Sequence, residues 1–168
     1  MLTRSLLACL ALLAGLLSGC NLRGQNSASA NMIGSWVLDR TLGVTAPPDF
    51  TMKVAANQDQ ITINSHWSEP PNGRYGLTLI GVTTSEMVLD ARGTDTSTQV
   101  GPFVMKHRSY WENGKLVTGW STSEYSGSSF RGTWTHAVSR DGRGLTLDID
   151  ATSGSGDQSR ARLMFRRQ

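Results

Sequence analysis

Residues 103–125 read FVMKHRSYWENGKLVTGWSTSEY, which is two runs of alternating side chains on either side of Asn113-Gly114. Both central residues of a type I′ turn need a positive φ, and asparagine and glycine tolerate it best, so this dipeptide strongly indicates a β-hairpin. The turn also sets which residues face one another across the two strands. The predicted pairs are Glu112 with Lys115, Trp111 with Leu116, Ser109 with Thr118, His107 with Trp120, Met105 with Thr122, and Phe103 with Glu124.

These paired residues share one face of the predicted hairpin, and it is the more apolar of the two. Because the other face carries Lys106 and Arg108, we assign the face with Trp111 and Trp120 to the interior of the domain. Glu124 would be costly to bury without a partner. It either lies in water at the mouth of the domain or orients a ligand, and we favour the first interpretation.

The next turn, at residues 126–129, leaves two registers open. A two- or four-residue loop puts Trp134 on the opposite face from Trp120. A three-residue loop, or a bulge at Gly127 or a neighbour, puts Trp134 and His136 on the Trp120 face. We favour the second register, because burying both tryptophans is worth more than leaving one in water.

Outward from this hairpin, the chain from residue 33 onward has an apolar period of two and a turn residue every eight to twelve positions. No helical pattern is long enough to connect parallel strands, so we predict an all-β antiparallel meander of about 8–10 strands. Closing it into a barrel removes unpaired edges, and a two-sheet sandwich is the alternative. Strands are predicted at 33–38, 50–54, 61–67, 75–79, 87–91, 103–111, 115–125, 130–139, 145–151 and 160–167.

The N-terminal segment ends in Leu17-Ser18-Gly19-Cys20. Arg4, an apolar run at 6–17 and the small residues before Cys20 together resemble the signal of bacterial lipoproteins. The run is about a dozen residues long, whereas a membrane-spanning helix needs roughly 20. The resemblance implies cleavage after residue 19 and acylation of Cys20, with membrane lipid as the partner.

This interpretation divides the chain into a signal peptide at 1–19, a lipidated flexible tether at 20–31 and a barrel domain at 32–168. It also implies that the domain is anchored on the periplasmic or cell-surface side of a membrane. Lipoproteins of Gram-negative bacteria that stay at the inner membrane carry aspartate after the acylated cysteine. Asn21 therefore favours the outer membrane.

Composition argues against several other functions. Without residues 1–19, 15 basic and 13 acidic side chains remain, scattered except near the C-terminus, so nucleic acid is not an expected partner. Cys9 leaves with the signal and Cys20 is acylated, so no thiol remains for a disulfide, a zinc site or a nucleophile. Catalytic motifs such as Gly-x-Ser-x-Gly and His-Glu-x-x-His are missing from the sequence. We predict no enzyme activity, no cofactor and no metal.

Three segments in order resemble the lipocalin-like domains of bacterial secreted proteins: Gly34-Ser35-Trp36, the hairpin SRDGRGLTL at 139–147, and the ending Phe165-Arg166-Arg167-Gln168. The resemblance implies a calycin-type barrel whose interior holds an apolar ligand or is filled by side chains. It further implies that Trp36 closes one end of the barrel beneath an arginine of the last strand, which we expect to be Arg162 or Arg166.

Two functions follow as hypotheses. In the first, a small, partly apolar molecule binds inside the barrel against Phe103, Met105, His107, Trp111, Trp120 and Trp134. His107 in this wall is interpreted first as a hydrogen-bonded core histidine and second as a ligand contact. In the other hypothesis, the barrel has no cavity and acts as a protein-interaction or protease-inhibitor module through loops at 41–49, 68–74 and 92–102. An interior void of roughly 300 Å³ or more would favour the first hypothesis.

Overall fold

A computed structural model describes residues 29–44, 49–66 and 86–168. In these residues, ten antiparallel strands form one sheet that curls into a nearly closed barrel. The strands are β1 (Gly34–Leu42), β2 (Thr51–Asn57), β3 (Gln60–His66), β4 (Glu86–Asp90), β5 (Arg92–Val100), β6 (Phe103–Glu112), β7 (Lys115–Thr122), β8 (Phe130–Val138), β9 (Gly144–Ser153) and β10 (Gln158–Arg167). The predicted all-β antiparallel barrel is confirmed, and the sandwich alternative is wrong.

The strands follow the order β4-β3-β2-β1-β10-β9-β8-β7-β6-β5 around the barrel. β1 pairs with β10, with a register shift between Leu38 and Arg40, so the first and last strands are neighbours. β4 and β5 stand at the two ends of this order, and no ladder joins them among the described strands. Ala91 connects them in the chain, and its N–H donates to the carbonyl of Asp59 at 2.8 Å. We call this gap the β4–β5 seam.

The hairpin at residues 103–125 forms in the predicted register. Asn113 and Gly114 have φ values of 49° and 75°, as a type I′ turn requires. The observed pairs are Glu112 with Lys115, Trp111 with Leu116, Ser109 with Thr118, His107 with Trp120 and Met105 with Thr122. The ladder ends there, so the expected pair of Phe103 with Glu124 is not part of it. Glu124 is exposed.

The turn after β7 has a two-residue loop, as in the first register considered above, and a bulge, as in the second. Ser126 and Gly127 have positive φ values and form a two-residue turn inside a Tyr125–Ser128 bridge. Between that bridge and the pair Ser121–Arg131, the β7 side has one residue more than the β8 side. This bulge restores the register, so Trp134 and His136 lie on the same face as Trp120, as we favoured.

Other expectations differ from the structure or fall outside its described part. The predicted loop at 92–102 is mostly strand β5, which was missed because its Thr and Ser side chains give no apolar alternation. Residues 29–32 form one helical turn, so the end of the predicted tether packs on the barrel. The signal peptide, Cys20, Trp67, the loop at 68–74 and the strand at 75–79 lie outside the described residues.

Candidate functional site

Trp36 and Arg167 close one end of the barrel. Trp36 is completely buried, and its indole Nε1 donates to the carbonyl of Met32 at 3.0 Å. The guanidinium carbon of Arg167 lies 4.4 Å from the centroid of the Trp36 ring, which is a cation–π contact. The same guanidinium donates to the backbone carbonyls of Gly142 at 2.8 Å, Ile33 at 2.9 Å and Asn31 at 2.5 Å.

The expectation that Arg162 or Arg166 covers Trp36 is wrong. Side chains alternate along β10, so the buried Phe165 and Arg167 share its inner face while Arg162 and Arg166 point outward. Arg162 takes part in an ion pair on the outer surface instead. The closing arginine was missed by one position because the sequence did not show which parity of β10 faces inward.

The first residue of the Gly34-Ser35-Trp36 motif lies against the Arg167 side chain and has no room for a side chain of its own. Its φ is +144°, and a methyl group added there would lie 2.7 Å from Nη1 of Arg167. A side chain at this position would therefore strain the backbone and displace the arginine from the barrel end. The glycine therefore leaves space for Arg167 at the point where β1 begins beside β10.

The residues expected to contact a ligand fall into two groups. Four of them are buried in the interior, Trp120 being the most exposed at 4 %: Met105, His107, Trp120 and Trp134. Phe103 and Trp111 lie at opposite ends of β6 and are only half-buried. The ring of Phe103 contacts that of Phe130 edge-on at 5.6 Å. The first group forms a continuous wall, and the other two residues stand at its margins.

His107 fits the interpretation of a hydrogen-bonded core histidine. Its Nδ1 lies 2.9 Å from the hydroxyl of Thr96, and its Nε2 lies 3.1 Å from the hydroxyl of Thr98. Burial lowers the pKa of His107, so the neutral ring is favoured. Both threonines belong to β5, and they were missed together with that strand. No local signal in β5 marked these two threonines as inward-facing, because Ser97 between them is polar as well.

Trp120 and Trp134 form an aromatic pair across β7 and β8. Their ring centroids are 5.5 Å apart and the rings are tilted by 32°. Gly132 lies directly opposite Trp120, and a methyl group on it would come within 2.8 Å of Cζ2 of that ring. The glycine therefore supplies the space that the Trp120 ring occupies.

Three buried polar atoms on this wall have no hydrogen-bond partner among the described residues: Trp120 Nε1, Trp134 Nε1 and His136 Nδ1. Burial lowers the pKa of His136 to about 4, although a hydrogen bond with the Leu116 backbone opposes the shift. The ring is therefore neutral at pH 7. Because Nδ1 has no partner among the described residues, we assign the single proton to the other ring nitrogen, which leaves Nδ1 with a lone pair.

A small void is lined by two of these three residues, Trp134 and His136. Its volume is about 20 Å³, and it is lined by Met52, Ile63, Ser65, Met87, Leu89, Trp134, His136 and Leu147. That is room for about one water molecule. The described side chains therefore fill most of the interior, well below the roughly 300 Å³ that would favour a ligand cavity on volume alone.

The interior wall has two chemically different halves. Strands β5 to β8 contribute Thr96, Thr98, His107, Ser109, Thr118, Trp120, Trp134 and His136. Ser109 and Thr118 hydrogen-bond each other through their hydroxyls at 2.9 Å. The opposite half, on β9, β10 and β1 to β4, is mostly apolar, with residues such as Leu147, Ile149, Leu163, Met52, Ile63 and Leu89. The barrel interior is therefore amphipathic.

The described residues contain no group of three or more His, Cys, Asp or Glu side chains that could hold a metal ion. Within the same part of the chain, no helix is long and apolar enough to cross a membrane. Of the loops expected to carry recognition, residues 41 and 42 belong to β1 and residues 92–100 to β5.

No protein-family model matches this chain, and no curated protein matches its sequence. Solved structures do match its fold. A secretory abundant heat-soluble protein from Ramazzottius varieornatus is 13% identical with a TM-score of 0.53, covering 82% of this chain and 96% of that one. Fatty-acid-binding protein 1 from Echinococcus granulosus is 11% identical with a TM-score of 0.52, covering 82% and 98%.

A Schistosoma mansoni fatty-acid-binding protein in complex with arachidonic acid is 12% identical with a TM-score of 0.54, and the match covers 84% of this chain and 98% of that one. At these identities the likeness concerns the fold. It supports the antiparallel β-barrel fold of the present chain.

Proposed function

We propose that this protein is a lipid-anchored barrel that binds a small, partly apolar molecule in its interior. The three unpartnered polar atoms of Trp120, Trp134 and His136 carry the proposal. Nearly all buried polar groups in proteins are hydrogen-bonded, and each unpaired one costs about 1–3 kcal/mol. A bound molecule that pairs with them recovers that free energy. Two structural neighbours are named as fatty-acid-binding proteins, which supports an apolar ligand.

A ligand must enlarge the void in order to bind. Met52 and Met87 line it, and methionine side chains are unbranched and change conformation easily. Met87 belongs to β4, which pairs with β3 alone among the described strands. Displacing this strand breaks fewer hydrogen bonds than displacing a strand paired on both sides. The seam is therefore the proposed route of access.

The neutral fluorophore N-phenyl-1-naphthylamine tests this proposal. We expect saturable binding with one site per chain and quenching of tryptophan emission, because Trp134 lines the void and Trp120 packs against it. Met87→Ala enlarges the void and should tighten binding. Val88→Ala, on the outer face of the same strand, is the matched control and should leave affinity unchanged.

Failure of the fluorophore to bind saturably, with both variants behaving alike, would contradict interior binding. It would place the second candidate first, namely recognition of a protein through surface loops. The small volume of the void, about 20 Å³, is the observation that favours this second candidate.

The membrane anchor is proposed from the sequence Leu17-Ser18-Gly19-Cys20. Acylation of Cys20 would hold the barrel on the periplasmic or cell-surface side, and Asn21 favours the outer membrane. In a bacterial host, Cys20→Ser should move the protein from the membrane fraction to the soluble fraction. Persistence of the variant with membranes after a high-salt wash would contradict lipid anchoring.

A further inference from the structure

We infer that the molecule bound inside the barrel is a neutral amphiphile whose hydroxyl or amide head group hydrogen-bonds Trp134 and His136. This inference rests on the proposed interior binding and names the class of ligand. It concerns the void, whose lining includes the two side chains with unpartnered atoms and several apolar residues.

The unpartnered atoms differ in hydrogen-bonding character. The indole Nε1 of Trp134 can only donate, and Nδ1 of the neutral His136 ring can only accept. A group that both accepts and donates satisfies the two together. Hydroxyl and amide groups do so, whereas a carboxylate can only accept and would face the lone pair of Nδ1. The Nε1 of Trp120 adds a further donor on the same wall.

The described residues around the void also provide no charge to balance an anion. Among the described residues, Arg167 is the cation on the inner face, and it lies at the barrel end over Trp36 with three backbone carbonyls as partners. His136 stays neutral at physiological pH because burial lowers its pKa. An ionised carboxylate buried near the void would therefore have no counter-charge, which strongly disfavours it.

The remaining lining suits a hydrocarbon tail. Apart from Trp134, His136 and Ser65, the void is lined by apolar side chains: Met52, Ile63, Met87, Leu89 and Leu147. A tail placed there continues into the apolar half of the barrel, toward the edge strand β4. The polar and apolar parts of an uncharged amphiphile thus match the two halves of the interior.

Octanol and octanoate form a matched pair of ligands for the test, each competing with N-phenyl-1-naphthylamine at about pH 8, where the carboxylate is ionised. We expect octanol to displace the fluorophore at concentrations at least tenfold lower than octanoate. Trp134→Phe removes the donor and keeps an aromatic ring, so it should weaken octanol binding several-fold. Trp36→Phe makes the same change at the barrel end and should leave octanol binding unchanged, even though it weakens the fold.

Each outcome decides a different point. Equal or tighter binding of octanoate would overturn the neutral ligand and leave interior binding intact. An affinity for octanol that Trp134→Phe does not reduce would overturn the placement of the head group. If the fluorophore itself does not bind, interior binding and the inference both fail.

Discussion

Burial of His136 should make the barrel less stable at mildly acidic pH than at neutral pH. Its pKa falls from an ordinary 6.5 to about 4 because the ring is buried. The unfolded chain therefore binds a proton in this range that the folded chain does not. The free energy of unfolding should fall by roughly 3 kcal/mol as pH drops from about 6.5 to about 4, and burial of His107 acts in the same direction.

Urea unfolding at several pH values measures this dependence. In His136→Leu most of the decline should disappear, because the variant has no proton to take up at that site. The same substitution at His66, which is exposed, should leave the decline in place. An unchanged decline in His136→Leu would show that other groups cause it.

Arg167 joins the last strand to the helical turn before the first. Arg167→Gln removes the cation–π contact and three hydrogen bonds, so it should lower the free energy of unfolding by roughly 1–3 kcal/mol. Arg166→Gln changes the neighbouring outward side chain and should have an effect within about 0.5 kcal/mol. Equal effects of the two substitutions in thermal or urea unfolding would contradict the role of Arg167 as the closing residue.

At the scale of single elements, the sequence predicted the β6–β7 hairpin better than the edge strand β5. Asn113-Gly114 carries its turn conformation in its own residues, so five pairs across β6 and β7 could be predicted from spacing alone. Strand β5 has no comparable local signal. Its Thr96 and Thr98 face inward because His107 on β6 provides hydrogen bonds there, and such long-range pairing is not visible in the order of residues.

Two glycines on neighbouring strands have opposite structural roles. A methyl group at Gly132 would meet the carbonyl oxygen of Asp150 and the Trp120 ring, whereas one at Gly119 would meet nothing within 4 Å. Gly132→Ala should therefore cost about 1–3 kcal/mol and change the near-UV circular dichroism of the Trp120–Trp134 pair. Gly119→Ala should stay within about 0.5 kcal/mol of the parent. A neutral Gly132→Ala would mean that the ring moves aside without loss.

At the scale of the whole molecule, the candidate site depends on closure of the sheet. The sequence placed His107 and Trp120 on one face and favoured the register that adds Trp134, but it did not show which of their polar atoms would find partners. Thr96 and Thr98 satisfy His107, whereas Trp120, Trp134 and His136 keep unpartnered atoms. Two features of the sheet cause this difference: β5 is its last strand, and a void lies beside β8. Neither could be predicted from local patterns.

The β4–β5 seam should be the least protected part of the barrel in hydrogen exchange. β8 and β9 pair on both sides, whereas β4 and β5 each pair on one side among the described strands. The seam is held by a corner in which Asp90 accepts hydrogen bonds from the backbone N–H and guanidinium of Arg92. An amide exchanges sooner when its strand can open locally without losing hydrogen bonds to neighbours on both sides. Peptides from β4 and β5 should therefore exchange faster than those from β8 and β9.

Saturating N-phenyl-1-naphthylamine should slow exchange in β4 more than in β9, because the proposed ligand packs against Met87 and tightens the edge strand over the void. The control is Asp90→Asn, which weakens the corner without touching the lining, and it should speed exchange in β4 and β5 in the unliganded protein. Uniform protection of all ten strands would contradict an open seam. Slower exchange confined to other strands on adding the fluorophore would place the route of access elsewhere on the barrel.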